Sequence, residues 1–127
     1  MQFNDYQEKA ISTSLYDMES EDIMSVALLL TSEAGEVAGK IDKAYRKANK
    51  HNNEMWDNPP FSLDDLQTME DNLDYQAVEK ELGDVIWAVA VIADQLGIKL
   101  EDVAKVNINK LASRQQRDVI VGDGDNR

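Results

Sequence analysis

Hydrophobic residues recur every three or four positions along most of the chain, which is the spacing of one face of an α-helix. Strand-like alternation of apolar and polar residues is weak, so the pattern predicts an all-α fold. It predicts four main helices, over about residues 3–18, 21–50, 75–96 and 100–114. The third of them is expected to stop at Gly97, because glycine readily adopts the left-handed conformation that ends helices.

The helical pattern breaks between the second and third predicted helices. Asn58-Pro59-Pro60 cannot continue a helix, because proline lacks an amide hydrogen and restricts the residue before it. We therefore expect an acidic connection over residues 51–74, with a short helix near Leu63–Met69, and an irregular tail over residues 115–127. The whole chain, residues 1–127, has the length of a single ordinary domain.

An uninterrupted apolar run lies inside the third predicted helix, VIWAVAVIA from Val85 to Ala93. A helix that is apolar on all sides must be covered on all sides. A chain of 127 residues has few other helices that could do this. We therefore expect a four-helix bundle-like core that is assembled as a homodimer or homotetramer.

The chain is strongly acidic, with 25 Asp and Glu against 13 Lys and Arg and a formal net charge of −12. Such a chain repels nucleic acids and anionic membrane surfaces, so we expect neither as a partner. No apolar run approaches the roughly 18 residues of a transmembrane helix, and the N-terminus lacks the pattern of a secretion signal. Cysteine is absent, which excludes disulfides and thiolate metal sites. We expect a cytoplasmic location.

Two acidic pairs border the apolar sequence, Glu33 with Glu36 on the second predicted helix and Glu81 with Asp84 on the third. Residues three apart share a helix face, where mutual repulsion and desolvation both disfavour ionised carboxylates. Mg²⁺ prefers oxygen ligands and would stabilise them. We interpret the four acids as magnesium ligands, with Mn²⁺ as an alternative ion. Because the chain is rich in acids, chance pairs on solvated helix faces are the competing interpretation.

The segments around both pairs resemble a known enzyme family. LLLTSEAGEVAGKIDKAYRK (28–47) and KELGDVIWAVAVIADQLGIKLEDVAKVNINKLASR (80–114) are similar to the two halves of the MazG-like all-α nucleoside triphosphate pyrophosphohydrolases. The ending GDGDNR also resembles that of MazG-like chains. The resemblance implies that the four acids bind magnesium and that a nucleoside triphosphate is hydrolysed to a monophosphate and pyrophosphate. We expect Glu36 and Glu81 to be catalytic, with Glu36 orienting or deprotonating the attacking water.

Two positions depart from the pattern of that family. Ser32 stands where relatives often carry a further glutamate, which puts an accessory acid in doubt. Ala88 stands where many relatives carry a tyrosine near the base. An alanine there would widen a base pocket, so we expect a preference for purines.

Four polar or basic residues are candidates for substrate binding, namely Lys40, Asn107, Lys110 and Arg114. The last three share one face of the fourth predicted helix, and the guanidinium fork of arginine suits phosphate. That face could instead be an ordinary solvated one. Lys40, four residues after Glu36, either pairs with it along the helix or reaches phosphate. The sequence does not decide whether Phe3, Asn4 and Gln7 on the first helix contact the base.

A protein of a different class also fits the charge. It would be an acidic, helical, dimeric binding protein that engages a basic partner. The net charge of −12 and the acidic connection agree with this alternative. It does not explain why acids border the apolar runs of two helices.

Overall fold

The structure is a computed structural model that describes residues 1–16, 20–49 and 63–117. Within these ranges the chain is all-α, as predicted, and contains no strand. Its helices are α1 (Phe3–Ile11), α2 (Ser20–Asn49), α3 (Leu63–Asn72), α4 (Tyr75–Gln95) and α5 (Leu100–Gln116). Across the described ranges, no helix combines the length and apolar character needed to cross a membrane.

Helices α2, α4 and α5 lie close to their predicted ranges, whereas α1 is shorter than predicted. It ends at Ile11, so the expectation that it continues to about Met18 was wrong. The hydroxyls of Ser12 and Thr13 donate to carbonyl oxygens three residues earlier, each at 2.7 Å. Such local hydrogen bonds compete with a continuing helix, and the apolar spacing alone does not reveal them.

Helix α3 occupies the later part of the predicted acidic connection and extends beyond the short helix expected near Leu63–Met69. Helix α5 continues to Gln116, so the first two residues of the tail predicted at 115–127 are helical. The other part of the connection, residues 50–62, and residues 118–127 of the tail lie outside the described residues.

The chain forms two compact units. The first contains Met1–Ile23 and Val89–Arg127, and the second contains Met24–Ala88. The first unit therefore holds α1, all of α5 and the last part of α4. The second unit holds most of α2, all of α3 and the first part of α4. Both acidic pairs belong to the second unit, and the polar candidates of α5 belong to the first.

Two local signals set the ends of α4. At its start, Asp74 Oδ1 accepts a hydrogen bond from Ala77 N at 3.0 Å, which satisfies one of the free amides of the first turn. At its end, Gly97 has a φ of 69°. Ile98 N donates to Ala93 O at 2.7 Å, which is the backbone pattern of a glycine-terminated helix. The predicted stop at Gly97 is confirmed.

In the first unit, α1 caps the N-terminus of α5. The first amides of a helix have no partner within it, and Lys99 before α5 makes no side-chain cap. Gln7 Oε1 instead accepts a hydrogen bond from Leu100 N at 2.9 Å, and Asn4 Oδ1 accepts one from Glu101 N at 3.3 Å. Two side chains of one helix thus satisfy the open end of another.

Gln7 is buried and uses both ends of its amide. Besides accepting from Leu100, it donates through Nε2 to Ile98 O at 3.0 Å and to Ala90 O at 3.4 Å. The side chain therefore joins α1 to the end of α4, to the turn after it and to the start of α5. Gln7 therefore has a structural role. The sequence alone did not decide whether this residue contacts the base.

We expect Gln7→Ala to lower the free energy of unfolding by about 1–3 kcal/mol, because buried backbone groups lose their partners. Denaturant unfolding followed by circular dichroism measures the change. Glu8→Ala, at an exposed position on the same helix, is the matched control and should stay within about 0.5 kcal/mol of the wild type. Equal stability of the two variants would contradict the capping role of Gln7.

Candidate metal centre

Three carboxylates converge in the second unit. Glu33 and Glu36 come from α2 and Glu81 comes from α4. Each offers one oxygen, and these three oxygens all lie within 4.8 Å of one another. The spacing of three residues on α2 places its two acids on one face of the helix, as the sequence predicts. Here that face meets α4.

The three acids differ in exposure. The side chain of Glu81 is only 14% exposed. Glu33 is half-buried, whereas Glu36 is exposed. The group thus has two shielded carboxylates and one that is open to solvent. A ligand would reach it from the side of Glu36.

The surroundings of Glu33 disfavour its ionised form. Partial burial raises the pKa of this carboxyl, and the negative charges of Glu36, Asp84 and Glu81 raise it further. Like charges and loss of water both act against ionisation here. A divalent cation would reverse both effects, because it attracts the carboxylates and replaces the missing water.

Asp84 lies outside the group of three converging oxygens. It follows Glu81 by three residues on α4, and its side chain is exposed. Its negative charge nevertheless contributes to raising the pKa of Glu33. The structure therefore brings three of the four predicted ligands together and holds the fourth close enough for its charge to act on Glu33.

The residues present fit a magnesium ion. Bonds from Mg²⁺ to oxygen are about 2.1 Å long, so oxygens on opposite sides of one ion lie about 4.2 Å apart. The oxygens of Glu33, Glu36 and Glu81 lie within 4.8 Å of one another, so small side-chain rotations would bring them to one ion. Carboxylates are the hard ligands that Mg²⁺ and Mn²⁺ share. Three of them leave coordination positions for water and phosphate oxygens.

Lys40 reaches the same group from α2. Its Nζ lies 3.0 Å from Oε1 of Glu81, so its ion pair crosses to α4 instead of forming with Glu36 along α2. The hydrogen bond and the charge of Glu81 raise the pKa of Lys40; the charges of Glu36 and Asp74 raise it further, and partial burial opposes them. The sequence spacing had suggested Glu36 as the partner, and the structure corrects this.

The three polar candidates on α5, Asn107, Lys110 and Arg114, belong to the first unit. Asn107 and Lys110 line an open cavity of about 490 Å³ along that helix. Arg114 is buried, with only 7% of its surface exposed. Its burial is unlike a solvated helix face, so that interpretation does not hold for Arg114. What these three residues bind stays a prediction.

Comparisons with known proteins lead to the family that the motifs resemble. The family model described as the MazG nucleotide pyrophosphohydrolase domain matches residues 21–118, a range that includes all four acids. The chain is 40% identical to the Gene 37 protein of Mycobacterium phage L5 over 127 residues, covering 96% of each chain. It is 46% identical to the uncharacterized protein YvdC of Bacillus subtilis (strain 168) over 39 residues, covering 31% of this chain and 37% of YvdC. No solved structure matches the chain.

We expect Glu33→Gln to raise the thermal unfolding midpoint of the metal-free protein at neutral pH. The folded-state pKa of Glu33 lies above its ordinary value of 4.5. Glu33 therefore stabilises the folded state fully at pH values below 4.5, and this stabilisation is lost as pH rises through the folded-state pKa. Glutamine removes the ionisation, so the advantage of the variant should disappear at about pH 3, where the glutamate is protonated.

Melting curves in EDTA at both pH values provide the test. Glu79→Gln, at an exposed position on α4, is the control for loss of one negative charge and should leave the midpoint nearly unchanged. A midpoint for Glu33→Gln at neutral pH that is no higher than that of the wild type would show that Glu33 is not electrostatically disfavoured.

Proposed function

Because the chain belongs to the MazG nucleotide pyrophosphohydrolase family, we propose that it hydrolyses nucleoside triphosphates to a nucleoside monophosphate and pyrophosphate. The observation that supports a site for this reaction is the convergence of Glu33, Glu36 and Glu81 within 4.8 Å. Carboxylates this close repel one another, and a divalent cation is the partner that makes their proximity favourable. Family membership supports the reaction class, and the convergence of the carboxylates supports the place that we propose for it.

We assign the magnesium ligands to Glu33, Glu36, Glu81 and Asp84, and we expect Mn²⁺ to substitute. When bound, the metal supplies a Lewis acid that polarises the α phosphate and offsets the charge that develops there. The net charge of the chain agrees with this assignment. At −12 it repels a triphosphate unless cations accompany the substrate.

Glu36 is the exposed member of the cluster, so we assign it to meet the attacking water and accept its proton. The water oxygen forms a bond to the α phosphorus. The bond from that phosphorus to the oxygen bridging to the β phosphate breaks, and pyrophosphate leaves with the electron pair. Glu81 is shielded, with 14% of its side chain exposed, which suits a ligand whose position must not change.

Contacts to the substrate are assigned to Lys40, Asn107, Lys110 and Arg114. Lys40 carries a charged ammonium group beside the carboxylates, which is where a bound triphosphate would need a cation. The assignment of the three α5 residues rests on their shared helix face and on the family resemblance. Arginine at this face suits phosphate because it donates two parallel hydrogen bonds.

We also propose that the chain associates with copies of itself as a dimer or tetramer. The apolar run of α4 is only partly covered, because Ile86 is 48% exposed. Leu82, four residues earlier and 47% exposed, and the exposed Tyr75 share its helix face. This apolar strip is interrupted by Glu79 between Tyr75 and Leu82, and exposed apolar side chains that share one helix face favour burial against another surface. A second copy of α4 would provide one.

Static light scattering at micromolar concentration should give at least twice the chain mass of 14.3 kDa. Ile86→Lys should shift that mass toward the monomer, because it places a charge in the apolar strip. Gln76→Lys, at an exposed position about a quarter turn away from that strip, is the control for one added positive charge on the same helix. A monomeric wild type would contradict the proposed assembly.

The binding-protein alternative is less well supported than the hydrolase. It accounts for a net charge of −12 but gives no reason for carboxylates to be drawn together beside apolar sequence. A protein surface that engages a basic partner needs its acids spread over the surface and fully solvated. The half-buried Glu33 and the shielded Glu81 do not fit that requirement.

The purified protein with Mg²⁺ should convert deoxynucleoside triphosphates to the nucleoside monophosphate and pyrophosphate, with no nucleoside diphosphate formed. Glu81→Gln should lower turnover at least about 100-fold, because one metal ligand is lost without a change in side-chain size. The circular dichroism spectrum of the variant should stay helical. Glu79→Gln, two residues earlier and exposed, should keep wild-type activity. Turnover by Glu81→Gln would refute the assigned site, and release of single phosphates would refute the reaction.

The same assay addresses the base. Our sequence-based proposal is that dGTP and dATP are hydrolysed faster than dCTP and dTTP, because Ala88 replaces a tyrosine. Ala88 is fully buried, so it would act on the base only through the residues packed against it. A strong preference for pyrimidines would contradict this part of the proposal.

A further inference from the structure

The ion pair between Lys40 and Glu81 differs from two further ion pairs among the described residues. The Asp42–Arg46 and Glu101–Lys105 pairs each lie within one helix, four residues apart. The pair of Lys40 links α2 to α4, and its carboxylate is a shielded member of the metal cluster, with 14% of the side chain exposed. It thus lies within the site and not on an ordinary helix surface.

The position of Lys40 has an electrostatic consequence. Its ammonium contacts one of the three carboxylates that magnesium would need and lies in the field of Glu36 and Asp74 as well. An ammonium group is a compact, mobile point charge on a flexible chain. It can therefore offset part of the negative charge of the cluster when no metal is present, and it can leave without a change in the backbone.

We propose that Lys40 is a built-in cation that occupies the carboxylate of Glu81 in the metal-free protein and is displaced when magnesium binds. This inference rests on the magnesium site proposed above. Displacement moves the ammonium away from Glu81 at the moment when the metal arrives with the triphosphate. The freed ammonium can then donate to a phosphate oxygen, so one side chain serves the empty site and the loaded site in turn.

The inference predicts opposite changes in two quantities for Lys40→Met. The melting point of the metal-free protein should fall, because the clustered carboxylates lose their cation. The affinity for Mg²⁺ should rise about tenfold, because a charge about 6 Å from the divalent ion repels it even in water. A lysine with a merely structural role would instead leave Mg²⁺ binding unchanged or weaken it, since Glu81 would be less well held.

Isothermal titration with Mg²⁺ alone and melting curves in EDTA measure both quantities. Lys43→Met removes the same charge from an exposed position on the same helix and should match the wild type in both. Lys40→Arg keeps a cation within reach of Glu81 and should restore the melting point. If Lys40→Met binds Mg²⁺ no more tightly than Lys43→Met, the inference is overturned while the metal site stands.

Absence of Mg²⁺ binding by the wild type would overturn the proposed site itself, and the role of Lys40 with it. Should Lys40→Met fail to fold, carbon-13 labelling of the lysine ε positions tests the wild type directly. Saturating Mg²⁺ should shift the signal that is missing in Lys40→Arg and leave the Lys43 signal in place. A Lys40 signal that does not move on saturation would refute displacement.

Discussion

Repulsion between carboxylates at the edge of an apolar helix face is the constraint on which the site depends. Glu33, Glu36 and Glu81 present oxygens within 4.8 Å of one another, and burial raises the pKa of Glu33. Nothing in the stability of a small helical protein calls for such an arrangement, since solvated acids would serve solubility equally well. The arrangement becomes favourable only with cations, which links the fold to metal-dependent chemistry. A protein that holds such charges together gives up some stability for a site that can bind an ion.

Exposure separates the roles of residues that look alike in the sequence. Glu36 and Glu81 are both glutamates bordering apolar sequence, yet one is open to solvent and the other is shielded and paired with Lys40. Water can reach the carboxylate of Glu36, whereas the carboxylate of Glu81 is shielded from solvent. The different roles that we propose for the two carboxylates therefore rest on their packing, because residue type is the same for both.

The features that the sequence predicts well are those that depend on neighbours along the chain. Residues at spacings of three share a helix face whatever lies opposite, so each acidic pair could be placed on one face in advance. The stop at Gly97 depends on its own backbone conformation, with a φ of 69°. The early end of α1 is also local, but it depends on hydroxyl hydrogen bonds of Ser12 and Thr13 that apolar spacing does not report.

The features that the sequence misses depend on which helix lies opposite. Lys40 is four residues from Glu36, and only the position of α4 shows that Glu81 is its partner. Gln7 looks like a polar residue free to touch a ligand, and only the position of α5 shows that it caps Leu100. In both cases local spacing gives the set of partners within reach along one helix. Tertiary packing then adds a partner that is more shielded from water, and there the interaction is stronger.

Gln7 and the acidic cluster show two opposite uses of polar groups in the same small protein. Gln7 is buried with hydrogen bonds at both ends of its amide, so any change there costs stability and a ligand would have nothing to gain from it. Glu33 is half-buried in surroundings that disfavour its charge, so a cation has free energy to gain there. The contrast explains why a buried polar side chain is by itself a poor guide to function. A site is better indicated by polar groups that the protein has brought together although their charges repel one another, as the three carboxylates in the second unit are.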